Sequence, residues 1–397
     1  MALTTDTPKS SLAQNMSVGL FIQTFPIRKV KAILVRLGKE TKRQREFPNH
    51  LVVYFAIALS MMMSSGYLGV MQWLLEGVRT RRGNQPKLKM LCKSGISQAR
   101  ERLGPEPFKA ILNEMVSPLA IDATKGAWYR AWRLVAVDGC CLDVEDTKDN
   151  ASTFGRAKGR AGLSAYPKLR FGALVEIGTR VIFAANCGSY TKTSEKVVVK
   201  ELLKSLQPGM LCLADRYYPG YDFIKATKET GADILWRVKS TFKLAAQEAL
   251  PDGSYLTTIY PSRGQKNADG ITVRVVEYKL KGHKESYRLI TTILDHEEAP
   301  AIELAELYHE RWEIEIALSE VKSTIMGNHL ILRSKTPQLV IQEFYALILA
   351  HYVMRSLIHE TAIEQREDPD RFSFKLAVEV VRRKIQVFGT FPPAEVA

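Results

Sequence analysis

Two short, continuous apolar runs in the middle of the chain each end in an aspartate. Residues 134–137 precede Asp138, and residues 210–214 precede Asp215. Apolar runs of this length are typical of strands that are buried on both faces of a sheet. Because α/β sheets place their ligands at the carboxyl ends of such strands, the pattern predicts that Asp138 and Asp215 lie at a functional edge.

A third pattern, at residues 307–325, has the period of an α-helix. Its apolar stripe consists of Leu307, Ile314, Leu318, Val321 and Ile325. A row of polar residues runs beside that stripe, within an arc of roughly 60° at about 100° per residue: Tyr308, Arg311, Glu315 and Lys322. The helix is predicted to bury the stripe. One acid among two cations and a phenol suits a metal ligand held next to phosphate groups.

Asp138, Asp215 and Glu315 are far apart in sequence and free to converge in space. Three carboxylates are a ligand set for a hard cation that prefers oxygen, namely Mg²⁺ or Mn²⁺. The three patterns together therefore predict a metal site.

These motifs resemble those of bacterial insertion-sequence transposases of the DDE type, in the subgroup named for insertion element four. The signature of that subgroup is Tyr, two residues, Arg, three residues, Glu, six residues, Lys, and the row that begins at Tyr308 matches it at every position. Asp215 begins an Asp-Arg-Tyr-Tyr sequence similar to the Asp-Arg-x-Tyr of the family. The chain departs from the family at Cys140, where Thr or Ser often follows Asp-Gly. The resemblance extends from about Phe47 to about Ile358.

The resemblance implies a cut-and-paste DNA transposase that acts as a homodimer on inverted terminal repeats. Asp138, Asp215 and Glu315 are then the catalytic residues and the ligands of two Mg²⁺ or Mn²⁺ ions. Two such ions can activate an attacking oxygen and stabilise the leaving oxygen of an in-line displacement. Water is the first nucleophile, and the 3′-hydroxyl that it frees is the second. Arg311 and Lys322 are expected to hold phosphates, and Tyr308 to donate a hydrogen bond to one.

The charge of the chain favours a polyanionic partner. Its 397 residues carry a net charge of +14, which suits either nucleic acid or an anionic membrane surface. A glycine-rich loop at residues 154–170 contains Arg156, Lys158 and Arg160, and such a loop beside a metal site can approach a DNA backbone closely. Arg216, next to Asp215, is a further candidate contact with DNA.

The cysteines indicate a reducing compartment, and the apolar runs predict no membrane span. The five cysteines are an odd number and include no C-x-x-C pair, which indicates neither a disulfide framework nor a zinc ribbon. The apolar run at residues 51–63 is shorter than the about 20 residues that a membrane span needs, so it predicts a buried helix. We expect a cytoplasmic protein that acts on the nucleoid and has no membrane partner.

The order of elements predicts an α/β protein with several domains. Residues 1–125 are expected to form a helical DNA-binding domain, with a helix-turn-helix or a generic helical pair at residues 94–112. Residues 126–239 and 286–362 have the order β-β-β-α-β-α-β followed by the helix of Glu315, which matches the ribonuclease-H-like fold for which the family is known. Residues 240–285 are predicted to be a β-rich insertion, and residues 363–397 a helical tail.

Three other functions remain open from the sequence. A ribonuclease-H-like nuclease would cut DNA without strand transfer, and a related DNA-binding protein would have no catalysis. A glycosidase with two carboxylates is disfavoured by the cations around Glu315. The seven histidines show no metal-ligand spacing, and Glu195 and Glu320 are predicted to be solvated.

Overall fold

A computed structural model describes residues 18–40, 47–81, 90–160, 162–261, 269–279, 286–327 and 331–388. The chain divides into two compact units. The first consists of residues 1–116, 320–358 and 372–397, and the second of residues 117–319 and 359–371. The first unit is mainly helical, and the second contains a large mixed sheet.

The N-terminal part of the first unit consists of helices in the stretches that the structure describes. They are α1 (Val18–Thr24), α2 (Ile27–Arg36), α3 (Asn49–Met61), α4 (Tyr67–Arg81), α5 (Lys93–Leu103) and α6 (Glu106–Met115). All residues of α3 except His50 are buried, so the apolar run at 51–63 forms a core helix, as predicted. Within the described residues, none of the helices combines the length and apolar character that a membrane span requires.

The helical pair α5 and α6 matches the elements predicted at residues 94–112. Gly104 ends α5 with a φ of +73°, a conformation that favours glycine. Arg100, near the end of α5, is 1% exposed, and its guanidinium donates to the side chains of Gln342 and Ser334. Arg100 is therefore a buried residue that links α5 to residues 334 and 342 of the same unit, and it is not available for contact with DNA.

The chain returns to the first unit after residue 319. The returning elements are a π-helical segment (Glu320–Ile325), the short strand β13 (Ile331–Leu332), the part of α12 (Pro337–Gln365) up to residue 358, and α13 (Phe374–Phe388). Glu320 is only 6% exposed; Arg355 Nε donates to its Oε2 at 2.9 Å, and His351 Nε2 lies 3.0 Å from the same oxygen. The prediction that Glu320 is solvated is wrong, because this residue is one member of a buried ion cluster.

The second unit is built on one sheet. Its strands are β1 (Trp128–Tyr129), β2 (Trp132–Val144), β5 (Lys168–Glu176), β6 (Val181–Ser189), β7 (Met210–Ala214), β8 (Asp233–Val238), β9 (Glu248–Ala249), β10 (Tyr255–Ile259), β11 (Ile271–Lys279) and β12 (Ser286–Thr291). The path across the sheet is β6-β5-β2-β7-β8-β12-β11-β10-β9, with β1 paired to β2. A separate small hairpin pairs β3 (Lys158–Gly159) with β4 (Gly162–Leu163).

The end of β7 lies beside the middle of β2, because Val137 is in register with Ala214. Asp215 directly follows β7, as predicted, but β2 continues past Asp138 to Val144, so the prediction that Asp138 ends its strand is wrong. β5 runs antiparallel to both of its neighbours, β2 and β6, whereas β2, β7 and β8 run parallel to one another. This order and these directions are those of the ribonuclease-H-like fold, so the predicted fold class is confirmed. A tight turn joins β5 to β6, and Gly178 in this turn has a φ of +86°.

Short helices pack on this sheet or connect its strands. They are α7 (Lys148–Phe154), α8 (Glu195–Lys200), α9 (Tyr221–Lys228), α10 (Ala301–Leu307) and α11 (Trp312–Ser319), with 3₁₀ turns at Leu203–Ser205, Tyr308–Arg311 and Pro369–Arg371. α8 contacts β5, β2 and β6, and α11 contacts β2. The structure thus brings both helices to the strand that carries Asp138.

The β-rich insertion continues the same sheet. β12 pairs with β8, and β11, β10 and β9 follow outward from it in antiparallel steps. The predicted domain limits assign most of α12 to the catalytic domain, whereas its residues up to 358 pack in the helical unit. The limits of the functional domains stay a prediction.

The helix predicted over residues 307–325 is irregular. A 3₁₀ turn at Tyr308–Arg311 separates α10 from α11, and residues 320–325 have π-helical geometry. A 3₁₀ turn has about three residues per turn and a π-helix more than an α-helix has. The 60° arc calculated for a regular helix is therefore wrong. The apolar stripe itself is confirmed, since four of its five residues are buried: Ile314, Leu318, Val321 and Ile325.

Candidate active site

Asp138 and Asp215 lie at neighbouring positions on two parallel strands. Val137 of β2 is in register with Ala214 of β7, and each aspartate is the next residue along its chain. The amide of Gly139 donates to Asp138 Oδ1 at 2.7 Å, and the amide of Tyr217 donates to Asp215 Oδ1 at 2.8 Å. Both carboxylates are thus held by backbone donors at one edge of the strand pair.

The electrostatic environment of Asp138 is unfavourable for its negative charge. The pKa of this carboxyl is raised to about 6, mainly by burial and also by the nearby charges of Asp215 and Glu195, against the lowering effects of the Gly139 amide and Arg311. Like-charged carboxylates in a partly buried site are an arrangement that a cation relieves. A shift of this kind is also typical of functional sites.

Glu315 and Arg311 form an ion pair on the irregular helix. Arg311 Nη2 lies 3.0 Å from Glu315 Oε1, and the guanidinium carbon lies 5.2 Å from the centre of the Trp312 ring. The side chain of Arg311 is 12% exposed, and its Nε is buried without a hydrogen-bond partner among the described residues. The guanidinium therefore keeps one donor for a further acceptor.

Tyr308 anchors the helix to the end of β7. Its side chain is buried, and its hydroxyl donates to the carbonyl oxygen of Ala214 at 3.2 Å, immediately before Asp215. The predicted contact of Tyr308 with a phosphate stays a prediction. Lys322 is exposed in the π-helical segment, which belongs to the first unit.

Glu195 is a fourth carboxylate near the two aspartates. It is the first residue of α8, where the side chain of Ser194 caps the helix by accepting from the amide of Val197. The hydroxyl of the fully buried Tyr218 donates to Glu195 Oε1 at 2.8 Å. Glu195 is partly exposed, so the structure agrees only in part with the predicted solvated side chain.

Sequence reasoning missed Glu195 because its setting depends on contacts with residues distant in sequence. A local signal was available in the sequence. Ser194 and Glu195 begin the helix that follows β6, and an acidic residue is favoured in the first turn of a helix. No local pattern, however, shows that this turn lies beside Asp138.

The oxygen donors of this site fit a divalent metal ion in type. Carboxylates of Asp138, Asp215 and Glu315 are the hard ligands that Mg²⁺ and Mn²⁺ prefer. The side chains are not drawn together: among the described residues, no three His, Cys, Asp or Glu side chains are grouped closely enough to form a metal site. Asp138 and Asp215 come from adjacent positions, whereas Glu315 is turned to Arg311.

The basic residues predicted to contact DNA differ in their environments. Arg156 donates to the backbone oxygens of Ser164 and Ala165 and pairs with Asp146, so it stabilises its own loop. Lys158 and Arg160 are exposed on the small hairpin, and Arg216 is exposed after β7. These three residues, like Lys322, have the exposure that an outward-facing contact requires.

Comparisons with known proteins agree with the fold. Residues 132–353 match the family described as Transposase DDE domain, and residues 15–113 match the Insertion element 4 transposase N-terminal family. The chain is 25% identical over 375 residues to the Transposase InsG for insertion sequence element IS4 of Escherichia coli (strain K12), covering 92% of this chain and 83% of the relative.

Two further similarities are more distant. The Putative transposase InsZ of Escherichia coli (strain K12) is 20% identical over 233 residues, which is 58% of this chain and 74% of that protein. A solved structure titled as the piggyBac transposase synaptic complex with hairpin DNA aligns with a TM-score of 0.47 at 12% identity, over 96% of this chain and 82% of that chain.

The DDE-domain match covers more than half of the chain, and the protein therefore belongs to the DDE transposases, enzymes that move DNA segments. The N-terminal match and the similarity to InsG assign it, within that class, to the insertion element 4 group. Members of the DDE family generally use divalent metal ions.

Proposed function

We propose that this transposase performs cut-and-paste transposition at inverted terminal repeats, with Asp138, Asp215 and Glu315 as its catalytic carboxylates. The observation that carries the proposal is the register of β2 and β7, which sets Asp138, in the middle of β2, beside Asp215 at the end of β7. Glu315 comes from the helix that packs on the same strand. Three separate segments thus contribute to one region.

Asp138, Asp215 and Glu315 would hold two Mg²⁺ or Mn²⁺ ions. The ions, when bound, activate the attacking oxygen and stabilise the leaving oxygen of the phosphodiester. Asp138 and Asp215 are oriented for this role by the amides of Gly139 and Tyr217. Glu315 must turn away from Arg311 to reach the aspartates, because its carboxylate is engaged in the ion pair.

Arg311 is the residue best suited to bind a phosphate beside the carboxylates. Its Nε is buried without a partner among the described residues, and release of Glu315 frees a second nitrogen of the same guanidinium. A planar fork of donors matches the geometry of a phosphate. When a phosphate replaces the Glu315 carboxylate at Arg311, the charge of the guanidinium stays neutralised. The Glu315 carboxylate is then available to the metal site. Lys322 and Tyr308 are proposed to assist in binding the backbone.

The partners follow from this chemistry. The protein binds double-stranded DNA at transposon ends and at the target, as a homodimer, in the cytoplasm on the nucleoid. Sedimentation of the complex with a single end fragment tests the assembly: a species with one chain per DNA under cleavage conditions would contradict the dimer.

A cleavage assay tests the proposed catalytic residues. A DNA fragment that carries the genomic flanks of this reading frame is incubated with the purified protein and Mg²⁺. We expect nicks at fixed flank positions and joined products, and neither with Asp138→Asn, Asp215→Asn or Glu315→Gln. Cleavage without joined products would favour the nuclease, and binding with no metal-dependent cleavage would favour the non-catalytic relative. Glu310→Gln, a change at an exposed position on the same helical segment, is the matched control.

A further inference from the structure

We propose that Glu195 is a fourth carboxylate of the metal site, reaching Asp138 from α8 through the space left by Gly139. The inference rests on the proposed function, since it assigns a further residue to the same site. Its support is geometric and comes from three contacts of the described residues.

The first contact is between Glu195 and the backbone at Gly139. A Cβ atom built at position 139 would lie 2.3 Å from Glu195 Cδ and 2.7 Å from its Oε1. The backbone at position 139 is not in the left-handed region, so the glycine is required for space. The carboxylate of Glu195 therefore occupies the position that any side chain after Asp138 would fill.

The second contact fixes the direction in which Glu195 points. Tyr218 is fully buried and donates its hydroxyl proton to Glu195 Oε1 at 2.8 Å. Tyr218 lies three residues after Asp215, so a single loop supports both carboxylates. Because the hydroxyl uses one lone pair of one oxygen, the other carboxylate oxygen stays available as a ligand.

The third contact is the packing of α8 on the sheet. Gly172 of β5 is in register with Gly139, and a Cβ at Gly172 would lie 2.6 Å from Val199 Cγ2 of α8. Two opposed glycines thus let α8 approach the sheet closely and bring its first residue to the strand backbone. A longer distance would leave Glu195 in solvent, where an acidic residue in a first turn usually lies.

An ion pair does not account for the position of Glu195. None of the salt bridges among the described residues includes Glu195, and its described hydrogen bond comes from a neutral phenol. The negative charge of Glu195 is close enough to contribute to the raised pKa of Asp138, and Tyr218 lies near the charges of Glu195, Asp138 and Asp215. Together with the contact at Gly139, this places the Glu195 carboxylate beside the two aspartates rather than in an ion pair.

The test measures metal binding directly. Full-length protein is titrated with Mn²⁺, and free Mn²⁺ is followed by electron paramagnetic resonance, with and without DNA from the cleavage assay. We expect Glu195→Gln to weaken Mn²⁺ binding about tenfold or more, and Tyr218→Phe to weaken it by a smaller factor. Glu201→Gln is the matched control, because Glu201 follows the same helix and pairs with the exposed Lys204.

The outcomes separate this inference from the proposed function. Unchanged Mn²⁺ binding in Glu195→Gln, with loss of binding in Asp138→Asn, overturns the role of Glu195 and leaves the proposed function standing. Unchanged binding in Asp138→Asn as well overturns the metal site itself. If Glu195→Gln lowers the melting temperature so far that binding cannot be read, Glu195→Asp and Tyr218→Phe carry the test, because each keeps a similar volume; wild-type affinity in both contradicts the inference.

Discussion

At the residue scale, Asp138 illustrates how a functional site opposes the stability of its own fold. Burial and the neighbouring negative charges disfavour its ionised form in the folded protein, whereas the unfolded chain exposes the same group to water. Residues that lower stability in this way are retained where function needs them. The consequence is a measurable dependence of stability on pH.

We expect Asp138→Asn to stabilise the metal-free protein by about 2 to 3 kcal/mol at pH 8. The folded-state pKa of about 6 lies above the ordinary value of 3.8, so the folded protein binds more protons between these values. The wild type therefore loses stability as pH rises through that window, and the asparagine variant does not. Urea unfolding in EDTA from pH 4 to pH 8 measures the difference. The exposed Asp122→Asn is the control, and a stability gain in Asp138→Asn that is independent of pH would contradict this account.

Gly139→Ala tests the space beside Asp138. The added Cβ would meet Glu195 Cδ at 2.3 Å, so we expect a loss of about 1 to 3 kcal/mol in the free energy of unfolding. Glu195→Ala in the same chain should recover most of that loss, because the two changes act on one contact. A double-mutant cycle by urea unfolding measures the coupling. Additive effects of the two changes would show that the added methyl group clashes with atoms other than those of Glu195.

At the element scale, the strands were more predictable than the helix that carries Glu315. The runs at 134–137 and 210–214 fell within β2 and β7, because buried strands need an unbroken apolar sequence. The helix at 307–325 kept its buried stripe but not its regular period. A pattern search assumes 3.6 residues per turn and cannot detect a 3₁₀ turn or a π-helical segment.

The contact of Glu195 with Gly139 could not be predicted from the sequence either, although the sequence shows both residues in recognisable local patterns. Gly139 could be noted as part of an Asp-Gly pair, and Ser194 as a helix cap. Their meeting depends on the packing of α8 over β2 and β5. Such packing is set by tertiary contacts between residues far apart in sequence, which no local periodicity encodes.

The buried ion cluster around Glu320, in the π-helical segment, is expected to stabilise the fold. We expect Glu320→Gln to reduce the free energy of unfolding by about 3 to 5 kcal/mol, because it removes the carboxylate that pairs with the buried guanidinium of Arg355. Guanidinium chloride unfolding at pH 7 measures the loss, with the exposed Glu306→Gln as control. A change below about 1 kcal/mol, the range of surface pairs, would contradict the role of the cluster.

The sign of the pH dependence of Glu320 is opposite to that of Asp138. Burial alone would raise the pKa of Glu320, but the hydrogen bond from His351 and the charge of Arg355 hold it below its usual value. Its stabilising contribution is therefore present above the ordinary glutamate pKa of about 4.3 and is lost as pH falls below it. The destabilisation caused by Glu320→Gln should accordingly shrink in acid.

At the scale of the whole molecule, the net charge of +14 governs association with DNA. Exposed lysines and arginines that neutralise phosphates release counterions, so affinity falls steeply as salt rises. We expect at least a hundredfold loss of affinity for an end fragment between 50 and 200 mM salt, on the order of that for several phosphate contacts.

Two exposed cations of the small hairpin can be tested one at a time for their share of this salt dependence. Lys158→Ala and Arg160→Ala should each reduce the slope of log affinity against log salt by about 1, if each side chain contacts one phosphate. Fluorescence anisotropy with a labelled end fragment measures the slope, and Lys204→Ala, which removes a cation already paired with Glu201, is the control. An unchanged slope in both hairpin variants would remove this hairpin from the DNA interface.

The insertion that continues the sheet at its outer edge has a consequence for how such proteins diverge. β12 pairs directly with β8, and β11, β10 and β9 are added beyond it, each by an antiparallel step. Hairpins can therefore be gained, lost or lengthened at that edge without altering the register of β2 and β7, on which the two aspartates depend. The fold separates a segment that is free to vary over evolutionary time from the strands whose alignment the chemistry requires.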